Sequence, residues 1–235
     1  MGSSLKNKIA LVTGASRGIG RAVAIRLAEE GAHIIAISKS TGALEELDDN
    51  IKEIGGSATL LPMNLNRLDD VDKLGPTIAE RFGKLDILIG NAAILGPLSP
   101  VGHVSPQDWE KVMKLNFMTN VHLVRTLDPL LRQSKAGRIV FTTSAIADDT
   151  PAYWGPYAAS KAALNAFVRT YAAETMDTNM RINALHPGAV DTKMMKEAFP
   201  GGTDFKTKAP EDVADDFLSL VIDGCPHHGH IIKLP

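Results

Sequence analysis

Three side chains in this sequence have the types and spacing of a proton relay. Ser144 precedes Tyr157 by thirteen positions, and Lys161 follows it by four. A hydroxyl, a phenol and an ammonium brought together can hold a carbonyl oxygen in line and exchange a proton with it. The chain has three tyrosines, and only Tyr157 has a lysine at that offset. Far upstream, Thr13-Gly-Ala-Ser-Arg-Gly-Ile-Gly20 follows a strand-like run and opens a helix-like one. Gly14 lets the backbone approach a pyrophosphate, while Gly18 and Gly20 allow tight turning and close helix–sheet packing. Either set alone is a weak signal. Together they predict an enzyme that moves a hydride to or from a nicotinamide.

Residues so far apart need a scaffold that brings them to one edge. Apolar runs at 9–12, 33–37, 58–62, 85–89, 138–142, 181–185 and 230–234 read as strands. They are mostly apolar rather than alternating, which predicts burial on both faces. Amphipathic stretches lie between them, such as 18–29 with Ile19, Val23, Ile25 and Leu27. Strand–helix alternation predicts an α/β fold, a doubly wound parallel sheet (Rossmann fold) of about seven strands with helices on both faces. No repeat, low-complexity tract or linker divides the 235 residues, so a single domain over 1–235 is expected.

Composition removes other classes. A net charge of −2 argues against nucleic acid as a partner, because phosphate backbones call for a basic surface. No apolar run approaches the roughly 18 residues of a membrane span. The single cysteine, Cys225, has no internal partner for a disulfide, and strand-like sequence starts near Lys8, leaving no room for a signal peptide. A cytoplasmic protein is expected. Cys225-Pro-His227-His228-Gly-His230 reads as a surface turn before the last strand, and no metal is expected.

The second strand ends at Ser38-Lys39. A carboxylate at this place would bind the ribose hydroxyls of NAD. A hydroxyl and a cation stand there instead, with Arg17 in the glycine turn. Such a set suits a 2′-phosphate, so NADP(H) is the expected cofactor.

With these motifs in order, the chain resembles the short-chain dehydrogenase/reductase family, of the group with a Tyr-x-x-x-Lys motif. The resemblance runs from about Lys8 to Leu234. The family's glycine turn corresponds to Thr13–Gly20, its Asn-Ala-Gly to Asn91-Ala92-Ala93, and its mid-helix asparagine to Asn116. Its serine, tyrosine and lysine correspond to Ser144, Tyr157 and Lys161, and its Pro-Gly-x-Val-x-Thr to Pro187, Gly188, Val190 and Thr192. Asn64-Leu65 stands where the family has an aspartate and an apolar residue at the adenine.

The resemblance implies the roles. Tyr157 would donate the proton in reduction, and Ser144 would hydrogen-bond the carbonyl oxygen. Lys161, with the positive nicotinamide of the oxidised cofactor, would favour the phenolate and move Tyr157 toward physiological pH, and Lys161 would hold the nicotinamide ribose. Asn116 would anchor a water linking Lys161 to solvent. Gly14, Ser16, Arg17, Gly18, Ile19, Gly20, Ser38, Lys39, Asn64, Leu65, Asn91, Ala92 and Ala93 would contact the cofactor. Val190 and Thr192 would orient its carboxamide.

The substrate would be a small carbonyl or alcohol. It would be read by the loop after Asn91, the loop at 145–154 and the short apolar segment at 193–208, with Tyr153 and Trp154 as candidate pocket residues. Two other readings stay open: a 3-oxoacyl-carrier-protein reductase, disfavoured because Ile94-Leu-Gly-Pro-Leu-Ser99 carries no basic residue, and an NADP-binding sensor without turnover. Helices expected at 105–132 and 157–174 carry surplus apolar and small residues, among them Val124, Leu127, Ala162, Ala166, Val168 and Ala172. A homodimer or homotetramer is expected through them.

Overall fold

The computed structural model describes residues 4–234. The apolar runs pair as β1 (Ile9–Thr13), β2 (His33–Ser38), β3 (Ser57–Pro62), β4 (Ile87–Gly90), β5 (Arg138–Thr142), β6 (Arg181–His186) and β7 (Ile231–Lys233). They form one parallel seven-stranded sheet in the order β3-β2-β1-β4-β5-β6-β7. The helices are α1 (Gly18–Glu29), α2 (Thr41–Glu53), α3 (Leu68–Asp72), α4 (Leu74–Phe82), α5 (Pro106–Met113) and α6 (Thr119–Gln133). They continue as α7 (Ile146–Asp149), α8 (Gly155–Ala173), α9 (Lys193–Ala198) and α10 (Ala214–Ser219).

Strand alternation divides the core between the two faces. Ala10 and Val12 of β1 pack with Val23, Leu27, Leu44 and Phe217, under α1, α2 and α10. Leu11 between them packs with Leu123, Leu127, Leu164 and Val168, under α6 and α8. Burying each such aliphatic side chain contributes roughly 1.5–3 kcal/mol. The strand order turns back at β1 and β4, which leaves a crevice at their carboxyl ends.

Boundaries shift for local reasons. β4 starts at Ile87 rather than 85, because Asp86 accepts from the Ile9 amide at 2.9 Å and the Leu85 amide turns to Leu130 O at 3.2 Å. Helix 105–132 is interrupted. Ser105 caps α5 by accepting from Asp108 N at 3.1 Å, and a π-helical turn over Lys114–Met118 then separates α5 from α6. The apolar surplus expected for an interface is smaller than its sequence indicates: Val124, Leu127, Val168 and Ala172 are consumed by the chain's own core. Ala162 and Ala166 remain exposed on α8.

Candidate active site

The crevice is pinned by one asparagine. Asn91, just beyond β4, donates from Nδ2 to Thr13 O at 3.2 Å and accepts at Oδ1 from Thr142 Oγ1 at 3.1 Å. The Thr13 hydroxyl accepts from the amides of Asn91 and Ala92 at 2.9 and 3.0 Å. The ends of β1, β4 and β5 are thus fastened together. Ala93, where the family has glycine, avoids positive φ, so a methyl group fits.

The glycine turn leads from β1 into α1. Gly14 has φ +66° and Gly18 φ +52°, both left-handed. A Cβ on Gly20 would lie 2.3 Å from Gly14 O, so the turn closes only around a hydrogen atom. Ser16 and Ile19 flank these glycines, and Arg17 is the extended residue before α1, with φ −163° and no side-chain cap. The first amides of α1 are therefore open to an anion. Thr192 stands over this turn: a Cβ on Gly18 would meet its methyl at 3.2 Å, and its hydroxyl caps α9 by accepting from Met195 N at 3.2 Å.

Arg17 and Lys39 are exposed, and neither joins an ion pair among the described residues. Ser38 ends β2 nearly buried, its hydroxyl accepting from Ser40 N at 3.2 Å. Beyond β3, Asn64 is exposed and its Oδ1 accepts from Asn66 N at 3.2 Å, while Leu65 is buried. Asn66, which the sequence did not single out, holds a buried Oδ1 without a partner. Neighbouring amides alone carry no signal by which sequence reading could have chosen it.

Ser144 lies two residues past β5, its Oγ accepting from Ile146 N at 3.3 Å. Tyr157 and Lys161 stand one turn apart on α8, and both are buried. The Lys161 ammonium donates to Thr142 O at 2.7 Å and lies 5.6 Å from the centre of the Tyr157 ring. Burial pushes the phenol up to about 12, opposed by its hydrogen bond with Ser144. Burial lowers the ammonium to about 8. Burial opposes the expected shift of Tyr157 toward physiological pH, an expectation that also counts on the positive nicotinamide of an oxidised cofactor.

Asn116 sits in the π turn, fully buried. Its Oδ1 accepts from Ile94 N and its Nδ2 donates to Ile94 O, both at 2.9 Å. Nδ2 also donates to Ser160 Oγ at 3.1 Å, and Ser160 in turn donates to Tyr157 O at 2.7 Å. The side-chain amide has no free hydrogen for water. Ser160, inside Tyr157-Ala-Ala-Ser-Lys161, was legible as a neighbour but not as a brace.

Past β6, Pro187 and Gly188 (φ +79°) turn the chain, and Val190 bridges to Lys208. Asp191 N donates to Lys208 O at 2.8 Å, and Lys208 N to Ala189 O at 2.9 Å. Segment 193–208 is thus a strap closed at its base, with α9 inside it. A cavity of about 280 Å³ lies between this strap, the loop after β4 and α5, with Ile94, Leu98, Lys111 and Glu197 in its walls. The tract before β7 is more than a surface turn. Cys225 is buried, and the His228 ring braces β6 to α8, accepting from Ile182 N at 3.3 Å and donating to Ala172 O at 2.9 Å.

The sequence profile described as short chain dehydrogenase matches residues 8–202. The chain belongs to that family. It is 35% identical over 222 residues to the uncharacterized oxidoreductase YciK of Escherichia coli (strain K12), covering 93% of this chain and 88% of that protein. A short chain dehydrogenase structure from Pseudomonas syringae superposes with a TM-score of 0.95 at 33% identity, covering 99% of this chain and 96% of that one. A short chain dehydrogenase from Escherichia coli CFT073, described as complexed with NADPH, gives a TM-score of 0.91 at 33% identity and covers 99% of each chain. This short-chain dehydrogenase is accordingly an oxidoreductase acting on a small molecule. Among the described residues, no helix is long and apolar enough to cross a membrane.

Proposed function

We propose that the chain reduces a ketone or aldehyde to an alcohol with NADPH, Tyr157 acting as general acid. The observation that carries this reading is the buried ring of Tyr157, with the Lys161 ammonium 5.6 Å from its centre and Ser144 acting on its hydroxyl. A phenol carries its proton at neutral pH and can give it to a carbonyl oxygen, as reduction requires. Ser144 orients the carbonyl oxygen, and Tyr157 gives it a proton as the carbonyl carbon is reduced. Lys161 holds its charge beside the phenol and stabilises the phenolate left behind.

The residues fit a dinucleotide. Gly14 and Gly18 take up left-handed backbone and Gly20 lets the turn close tightly, which leaves the uncapped first amides of α1 open to a pyrophosphate. Arg17, Ser38 and Lys39 would hold the 2′-phosphate. Exposed Asn64, followed by buried Leu65, would accept from the adenine amine. Lys161 would hold the nicotinamide ribose, and Val190 and Thr192 would orient the carboxamide. NADPH, when bound, supplies the hydride. The Asn116 side chain is committed to Ile94 and Ser160 and its main-chain carbonyl accepts from Asn120 Nδ2 at 2.8 Å, so Asn116 braces the site through these bonds rather than through a water.

We read the chain as one cytoplasmic domain that forms a homodimer through the exposed small residues of α8 and the adjoining α6. Light scattering at micromolar concentration tests this, and a fully active species near 25.1 kDa refutes it. No separate feature favours a carrier-protein substrate, because Lys111 at the cavity is accompanied by Asp108 and Glu197. The deciding assay follows NADPH absorbance over an aldehyde and ketone panel. Turnover supports the reductase. Tight NADPH binding without turnover of any compound supports the sensor instead.

A further inference from the structure

Four aromatic rings run from the candidate acid to the strap. Tyr157 meets Trp154 edge-on with ring centres 6.0 Å apart. Trp154 meets Phe199 at 6.1 Å, tilted by 43°, and Phe199 meets Phe205 edge-on at 5.5 Å. Trp154 is the residue preceding α8, and Phe199 ends α9. The ladder therefore links the loop after β5 to the strap after β6, with Tyr157 as its innermost rung.

A second observation places apolar surface at the same mouth. Among the described residues, seven large hydrophobic side chains are exposed, and four of them, Leu98, Val101, Tyr153 and Phe205, lie on the loops after β4 and β5 and on the strap. Tyr153 is 58% exposed and Val101 61%. A Cβ on Gly155 would lie 3.1 Å from the Val101 side chain, and Phe205 is the outer rung of the ladder. Scattered exposed apolar groups need no explanation, but a cluster continuous with a reactive site marks something that binds.

A third observation shows that this mouth is held under strain. Tyr153 has φ +75° and Thr150 φ +42°, left-handed conformations that bulky L residues rarely adopt. Both lie in the loop between Ser144 and Tyr157. The Tyr153 carbonyl is fixed by accepting from Ser99 N at 3.0 Å, which ties this loop to the one after β4. Strain of this kind persists where the surroundings enforce it, and it clusters at ligand clamps.

We propose that Phe199 and Trp154 determine specificity: they form an aromatic wall on which a carbonyl compound conjugated to a flat aromatic ring stacks, its carbonyl turned toward Tyr157. The rim of Leu98, Val101, Tyr153 and Phe205 receives the remaining apolar body. The wall rests on the reductase reading for the direction of the carbonyl, while the stacking surface itself does not. Flat rings suit the wall because aromatic pairs gain from offset and edge contacts beyond their buried area. A saturated ring of the same carbon skeleton gains only the area.

The test compares 2-naphthaldehyde with its decahydro analogue in NADPH-dependent turnover, and measures how the ratio of the two kcat/KM values changes on substitution. Comparing the change cancels the different intrinsic reactivity of the two aldehydes. Phe199→Leu lowers the ratio about three- to tenfold, the size of one aromatic pair. The loss lies in KM for the aryl compound with kcat little changed, and Phe199→Tyr restores it. An unchanged ratio in Phe199→Leu overturns the wall. A binding readout stands beside turnover. The chain has two tryptophans, so a Trp109→Phe background leaves Trp154 alone to report. Titration with 2-acetonaphthone quenches it saturably, and Phe199→Leu weakens that binding by a similar factor. Quenching without turnover of any carbonyl keeps the wall and removes the reductase reading. Absence of saturable quenching overturns the wall whatever the turnover.

Discussion

Lys161 donates its hydrogen bond to the main-chain carbonyl of Thr142, at 2.7 Å. The helix carrying the phenol and the strand leading to Ser144 are thereby joined through the ammonium itself. Its position beside the Tyr157 ring is set by the fold before any ligand arrives, so no reorganisation is needed at the moment of reaction.

Tyr157→Phe keeps the ring and its contact with Trp154 but removes the proton. Turnover should fall at least about a hundredfold. NADPH affinity, followed by calorimetry, should stay near that of the unmodified protein. Full activity in this variant would assign the proton to another group.

The pH profile follows from the two opposed shifts. Lys161 is charged below about 8 and neutral above it, while Tyr157 keeps its proton up to about 12. Reductive kcat/KM should therefore bend downward as pH rises through about 8, with the phenol imposing no limit in that range. Stability moves the other way. The buried ammonium destabilises the fold fully below about 8, and this cost is relieved as pH rises from there toward the free value of 10.5. Steady-state rates and urea midpoints between pH 6 and 10 check both signs. A rate profile flat to pH 9.5 would remove Lys161 from the reaction.

Lys39→Asp replaces an unpaired cation at the end of β2 with a carboxylate. A charge-assisted contact to phosphate contributes about 1.5–3 kcal/mol, so the preference for NADPH over NADH should drop by roughly tenfold to a hundredfold. Both affinities must be taken at one salt concentration. Unaltered selectivity would show that Lys39 is only a solvated surface charge.

Asn116→Leu strands the Ile94 amide and carbonyl, both paired with the asparagine in the native fold. Leaving such groups unsatisfied costs about 2–4 kcal/mol in total. Tm should fall by several degrees, and turnover should fall with it as the loop after β4 loosens. A variant with native Tm and lowered turnover would instead place Asn116 in the chemistry alone.

Much of this was legible in the chain. Seven strands, their order of appearance and the helix at 18–29 follow from apolar periodicity, and the glycine turn stands where its spacing puts it. The site residues that meet in the crevice could be named because each sits at a strand end or on one helix face. Other features have no local signature. The π turn at Asn116 depends on the Ile94 loop, which lies far off in sequence. The upward shift of the Tyr157 phenol depends on how completely neighbouring elements bury it. The fate of Val124 and Val168 was misjudged for the same reason: a helix face reads as apolar whether its partner is the chain's own sheet or a second copy.

The π turn has a further consequence. A turn of that kind holds one residue more than a regular helical turn would. Deleting a single residue between Lys114 and Met118 would let α5 and α6 merge into an unbroken helix, a change that backbone hydrogen bonding alone favours. The same deletion would rotate Asn116 or its replacement away from Ile94 by about 100°, one residue's step around a helix. Here local regularity and competence are set against each other. The defect in this helical run aims a side chain, so a change of length at this one turn displaces Asn116 in a way that a change of a neighbouring residue does not.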